Sequence, residues 1–145
     1  MTQPTYTIHT DGGSRGNPGP AASGYIIEGH DIKPVHQGVF LGVQTNNVAE
    51  YTAVILALQH LKSLLGADRS SEAHIDVKSD SELVVRQMQG IYKVKDAALK
   101  ELFLNVQSSQ RAFHSVTFHH VRREHNVEAD RMVNEALDQQ ESSVE

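Results

Sequence analysis

The stretch "TNNVAEYTAVILALQHLKSLLG", residues 45–66, is where the hydrophobic period of the chain changes. Ala49, Ala53, Leu56, Ala57, Leu61 and Leu64 recur at the three- and four-residue spacing of one helix face. Thr45, Asn46 and Asn47 offer N-cap oxygens ahead of it, and Gly66 follows its last periodic residue. Before this helix the chain reads as strands. "TYTIHTD" (5–11) alternates and is rich in β-branched and aromatic residues, and "SGYIIEG" (23–29) and "VHQGVFLG" (35–42) follow it. The short polar connection "HDIKP" makes the last two a hairpin, so the strands form an antiparallel meander. After the helix come a strand at 73–80, helices at 81–90 and 96–110, a strand at 115–121 and a closing helix at 127–140. Ala129, Met132, Val133, Ala136 and Leu137 share one face of that last helix. The order βββαβααβα predicts a mixed α/β fold. Its sheet has five strands, three antiparallel plus two parallel, flanked by helices.

With 145 residues, 39% of them hydrophobic and 21% charged, the chain suits one domain. That domain is expected over 1–140, with 141–145 as a polar tail. Neither a membrane-spanning run nor a basic-then-apolar leader is present, so a cytoplasmic monomer is expected. The absence of cysteine excludes disulfides and thiolate metal sites. A net charge of −5 argues against nucleic-acid binding by bulk charge, but not against a site that gathers acids around metal ions.

Four acids fall at the places where such a fold builds sites. Asp11 ends the first strand, in "TDGGSRGNPGPAASG" (10–24), a glycine- and proline-rich stretch that reads as a turn. Glu50 lies in the first turns of the long helix, Asp80 ends the fourth strand, and Asp130 lies near the start of the last helix. If the first and fourth strands are neighbours, Asp11 and Asp80 stand side by side. Each acid alone has a plainer reading, as a turn residue or a partner of a helix dipole. Together they would repel one another unless cations intervene. Mg²⁺ takes hard oxygen ligands of this kind. Two ions about 3.5–4 Å apart can stabilise the attacking and leaving oxygens of a phosphodiester cleavage. No phosphate-cradling loop is present, because "DGGSRGNPG" lacks the GK[ST] ending. His119 and His120 are adjacent on a strand, point to opposite faces and read as structural.

Four blocks in order, "YTIHTDGGSRGNPGPAASGYII", "TNNVAEYTAVILAL", "VKSDSELVVRQMQG" and "VRREHNVEADRMVNEAL", resemble type 1 ribonuclease H over nearly the whole chain. The resemblance implies an endonuclease that cuts the RNA strand of an RNA/DNA hybrid and leaves 5′-phosphate and 3′-hydroxyl ends. It implies Asp11, Glu50, Asp80 and Asp130 as ligands of two Mg²⁺ ions, with Mn²⁺ as a substitute, and Glu50 close to the ribose 2′-hydroxyl. Gly12, Asn17, Asn46 and Asn47 match hybrid-contacting positions, and Thr45 matches one that grips a DNA-strand phosphate. The asparagines also read as helix caps.

The chain departs from the family in three places. The loop before the last helix is the short "VRREHNVEAD", where His125, Arg123 and Glu124 compete for the place of a family histidine that assists proton transfer or product release. His125 has the chemistry for proton shuttling, and Arg123 would be a fixed charge near phosphate. "GIYKVKDA" replaces a basic insertion, leaving Lys93 and Lys95, with Tyr92, as a reduced basic contact or a solvated loop. Double-stranded RNA is then a plausible side substrate. Glu82 stands where many members place a minor-groove glutamine. The competing readings are a non-catalytic hybrid- or RNA-binding domain and a transposase or integrase core of the same fold.

Overall fold

The structure, a computed structural model, describes residues 4–144, with side chains through Glu141. Strand β1 (Thr5–Ser14) lies at the centre of the sheet. On one side it pairs antiparallel with β2 (Gly19–Gly29), which pairs antiparallel with β3 (Val35–Gln44). On the other side it pairs in parallel with β4 (His74–Ser79), which pairs in parallel with β5 (Ser115–His120). The order β3-β2-β1-β4-β5 is the mixed five-stranded sheet expected from the sequence.

Helix α1 (Asn46–Glu72) opens on Thr45, whose hydroxyl accepts from Val48 N at 3.3 Å. Gly66, at φ 79°, interrupts it where the sequence places its end, and one further short stretch runs on to Glu72. Helix α2 (Glu82–Met88) is capped by Ser81 and followed by Gly90, whose φ is 80°. Helix α3 (Ala97–Gln110) is capped by Asp96, which accepts from Leu99 N at 2.9 Å. A single 3₁₀ turn, Arg123–His125, leads into α4 (Val127–Val144). Helix α4 therefore continues through 141–144 of the expected tail, and Glu145 lies outside the described residues. No described helix is long and apolar enough to cross a membrane.

The sheet is covered on both faces. Ile8, Ile27, Ile75 and Val77 pack with Tyr51, Leu58 and Leu61 of α1 and with α2 and α3. On the other face Ala22 and Ile26 meet Ala129, Met132, Val133 and Leu137 of α4. Alternation along β2 explains the split, since its odd residues face α1 and its even ones face α4.

The glycine-rich opening stretch is a hairpin rather than a loose turn. Asp11↔Gly24, Gly12↔Ser23, Gly13↔Ala22 and Ser14↔Ala21 are paired, so both strands run further than β-propensity indicates.

Candidate active site

Close helix–strand packing assembles the site. A Cβ on Gly12 would run into the Ala49 carbonyl and Glu50 N, so glycine here lets α1 lie directly on β1 beside Asp11. Ser23 fastens the contact by donating to Ala49 O at 2.7 Å. Gly24, opposite Asp11 in register, does the same for α4, because a Cβ there would lie 2.5 Å from Ala129 O. These two glycines thus deliver Glu50 and Asp130 to Asp11. Parallel pairing ending at Thr10↔Ser79 places Asp80 beside Asp11, as the strand order requires.

Asp11, Glu50 and Asp80 each offer an oxygen within 4.8 Å of the others. Asp11 is only 7% exposed. Burial, then the charge of Asp80, then hydrogen bonding to Asp130 and its charge push the Asp11 carboxyl up to about 8, against the opposing Gly12 N–H. That N–H donates to Asp11 Oδ1 at 2.9 Å. Burial first, then the charges of Asp11 and Asp80, push Glu50 well above the ordinary carboxylate range. Asp130 sits at the exposed rim, facing Asp11. All four acids line one cavity of about 310 Å³.

The residues fit divalent cations. The donor set is entirely carboxylate oxygen, and Glu50 Oε2 is buried with no hydrogen-bond partner among the described residues. An orphaned acceptor between two acids is costly unless protons are held there or a cation fills the gap.

The loop before α4 separates the three sequence candidates. Arg123 lines the carboxylate cavity, with Nε 3.7 Å from Asp80 Oδ2 and a nearly fully exposed side chain. His125 and Glu124 instead line a different cavity of about 230 Å³, together with His9 and Glu28. His125 is therefore not brought to the four acids, because the 3₁₀ turn directs neighbouring side chains differently.

Asn17, Thr45, Asn46 and Asn47 are all exposed at the junction of the β1–β2 turn with α1. Asn17 Oδ1 accepts from Asn46 N at 3.1 Å, and Asn46 Oδ1 accepts from Ser14 N at 2.8 Å and Ser14 Oγ at 3.1 Å. Gly12 is packed directly against the Ala49–Glu50 backbone of α1. Lys93 and Lys95 are exposed on the α2–α3 connection, away from the residues lining the carboxylate cavity. Glu82 accepts from Tyr92 Oη at 3.1 Å, which ties it to that same connection. His119 Nε2 lies 3.1 Å from Asp76 Oδ1 on the exposed side of the sheet.

Sequence reasoning missed Asn126. It is 3% exposed, and its Nδ2 donates to Thr10 O at 2.8 Å and to Asp80 Oδ1 at 3.4 Å. It thereby ties the loop before α4 to the ends of β1 and β4. The one available signal was its place just before a helix, which reads as a cap.

The family model described as "Reverse transcriptase-like" matches residues 9–136. The bifunctional protein Rv2228c of Mycobacterium tuberculosis is 39% identical over 133 residues, 90% of this chain but 35% of its own length. The chain thus spans about a third of that curated relative. The protein named Ribonuclease H of Ruthia magnifica is 34% identical, with 90% of this chain and 94% of that one covered. LC11-RNase H1, isolated from compost and solved in complex with an RNA/DNA hybrid, superposes with a TM-score of 0.86 at 42% identity, covering 93% of this chain and 98% of that one. With the sheet order, the carboxylate cluster and these matches in agreement, the chain belongs to the type 1 ribonuclease H family.

Proposed function

We propose that the protein is an endoribonuclease that hydrolyses the RNA strand of RNA/DNA hybrids at a two-ion site, leaving 5′-phosphate and 3′-hydroxyl ends. The observation that carries this reading is the close trio of buried Asp11 with half-buried Glu50 and Asp80, with oxygens within 4.8 Å and one buried Glu50 oxygen unpartnered among the described residues. A domain that only binds nucleic acid gains nothing from burying such repulsion. When bound, divalent ions, Mg²⁺ or Mn²⁺, supply the positive charge that ionises these acids and stabilises the attacking and leaving oxygens of the phosphodiester. Asp11 and Glu50, whose protonated forms are favoured in the ion-free cleft, give up protons on loading.

Recognition falls to the polar residues around the mouth. The Oδ1 atoms of Asn17 and Asn46 are engaged within the protein, which leaves their Nδ2 groups as donors. Donors of this size suit the acceptors of a wide minor groove and the 2′-hydroxyl, the group that tells RNA from DNA. Thr45 and Asn47 extend this edge towards a DNA-strand phosphate. Arg123, beside Asp80, faces a phosphate near the cut, and Lys93 and Lys95 form a small outlying contact. The solved hybrid complex of the similar LC11-RNase H1 supports the substrate class. Double-stranded RNA is a side substrate, since the chain lacks the basic insertion that would favour a DNA strand. The protein acts as a cytoplasmic monomer.

A panel of matched hybrid, double-stranded RNA, single-stranded RNA and DNA duplex, each with Mg²⁺, Mn²⁺ or chelator, tests the reading. Metal-dependent cutting confined to RNA strands, fastest in the hybrid, is expected. Cutting in chelator, or of no RNA-containing substrate, overturns it.

A further inference from the structure

Asp130 is the one exposed corner of the carboxylate site, and its own helix holds it. One turn further on, Asn134 Nδ2 donates to Asp130 Oδ2 at 3.3 Å and to the Asp130 carbonyl at 3.1 Å. The other end of the same amide, Asn134 Oδ1, accepts from Arg15 Nη2 at 3.5 Å. Arg15 is fixed in turn: Nη1 donates to Glu141 Oε1 at 2.6 Å and Nη2 to Asp138 Oδ1 at 2.7 Å. A single face of α4 thus carries Asp130, Asn134, Asp138 and Glu141, and the last three meet one arginine from the β1–β2 turn. Arg15 is therefore already neutralised by two carboxylates.

Charge fixes the orientation of the amide. Its NH₂ end faces a carboxylate and its carbonyl end faces a guanidinium. The flipped amide would set like partial charges against both. Each hydrogen bond of the chain polarises the next. Two residues beyond Arg15, Asn17 contacts the first residue of α1, so the same turn joins both helices that carry acids.

We propose that Asn134 is a positioning residue that holds the Asp130 carboxylate towards Asp11 for cation binding, and that Arg15 acts on the site by holding Asn134. The inference rests on the reading of the four acids as a divalent-cation site. An exposed aspartate left to itself samples several rotamers, and one fixed in place loses less freedom on binding an ion.

The sign of the Arg15 effect separates positioning from simple electrostatics. Removing a positive charge near a cation site, and unmasking Asp138 and Glu141, tightens cation binding if only long-range charge matters. Loosening Asp130 weakens it.

The test is Mn²⁺ binding to the substrate-free protein, followed by calorimetry at low ionic strength. Asn134→Ala should weaken binding about tenfold. Arg15→Ala should weaken it about threefold, and the double variant should be no weaker than Asn134→Ala alone. Arg15 makes exposed ion pairs, whose loss is well tolerated, so that variant remains informative if Asn134→Ala fails to fold. Unchanged or tighter Mn²⁺ binding in Arg15→Ala, with wild-type binding intact, overturns the inference alone. A wild-type protein that binds no Mn²⁺ overturns the cation-site reading itself.

Discussion

Without divalent ions, the protein is expected to lose stability as pH rises through neutrality, and Asp11→Asn is expected to remove most of that loss. Burial, then Asp80, then Asp130 raise the Asp11 carboxyl from 3.8 to about 8. The unfolded chain gives up this proton at the lower value, and the folded chain keeps it to the higher one. Between the two, the folded state binds more protons than the unfolded state, so stability falls by about 1.4 kcal/mol per pH unit. The stabilisation is whole below the lower value and gone above the higher. Between about pH 5 and about pH 8 the slope integrates to roughly 3.5 kcal/mol, and water in the open cleft brings the expectation to about 2–3 kcal/mol. Glu50, raised by burial first, acts in the same direction. His9, lowered by burial first, acts in the opposite direction, losing stability as pH falls. Asparagine at position 11 imitates the neutral carboxyl, so the difference between wild type and variant isolates the share of Asp11. Urea denaturation in chelator at several pH values measures it. The two profiles should diverge with rising pH, with the variant more stable, and added Mg²⁺ should restore the wild type at high pH. Parallel profiles would mean that Asp11 does not hold its proton in the folded, ion-free protein.

Three further outcomes follow from the geometry. Gly12→Ala drives a methyl into the Ala49–Glu50 backbone and should destabilise the protein by about 2 kcal/mol or more, with loss of cleavage, as thermal melts and hybrid assays would reveal. Thr45→Ala removes the α1 cap and should cost about 1 kcal/mol in urea denaturation. Arg123→Ala should weaken hybrid binding about threefold and reduce the salt slope of binding by about one, whereas His125→Ala should change neither.

The fold was readable wherever periodicity was local. The helical face from Ala49 to Leu64, the meander before it and the stop at Gly66 all follow from spacing within one segment. The full length of the first hairpin was not readable, because Gly12, Gly13 and Gly19 to Ala22 carry no strand signal. Gly12 is small because α1 lies directly on it, and Gly19 because the turn's own Arg15 carbonyl does, so the stretch reads only as a turn until α1 is in place. The four acids were legible because each marks an element boundary. Their supporting residues were not. Asn126 reaches Thr10 and Asp80, and Arg15 reaches Asp138 and Glu141, across gaps that no local pattern reports. That Arg123 lines the carboxylate cavity and His125 a neighbouring one follows from the path of one 3₁₀ turn, which spacing does not encode. Helix α4 outran its expected end because its last turns, though polar, include Glu141, which pairs with Arg15.

If four carboxylates gather cations to cut RNA within a hybrid, Asp11→Asn should separate cutting from binding. Hybrid binding and hybrid cleavage are measured on the same purified variant with Mg²⁺ present. The account predicts that cleavage falls by at least about 10³-fold while binding changes little, since the substitution removes a buried ligand and leaves the polar mouth intact. Wild-type cleavage by the variant would contradict it.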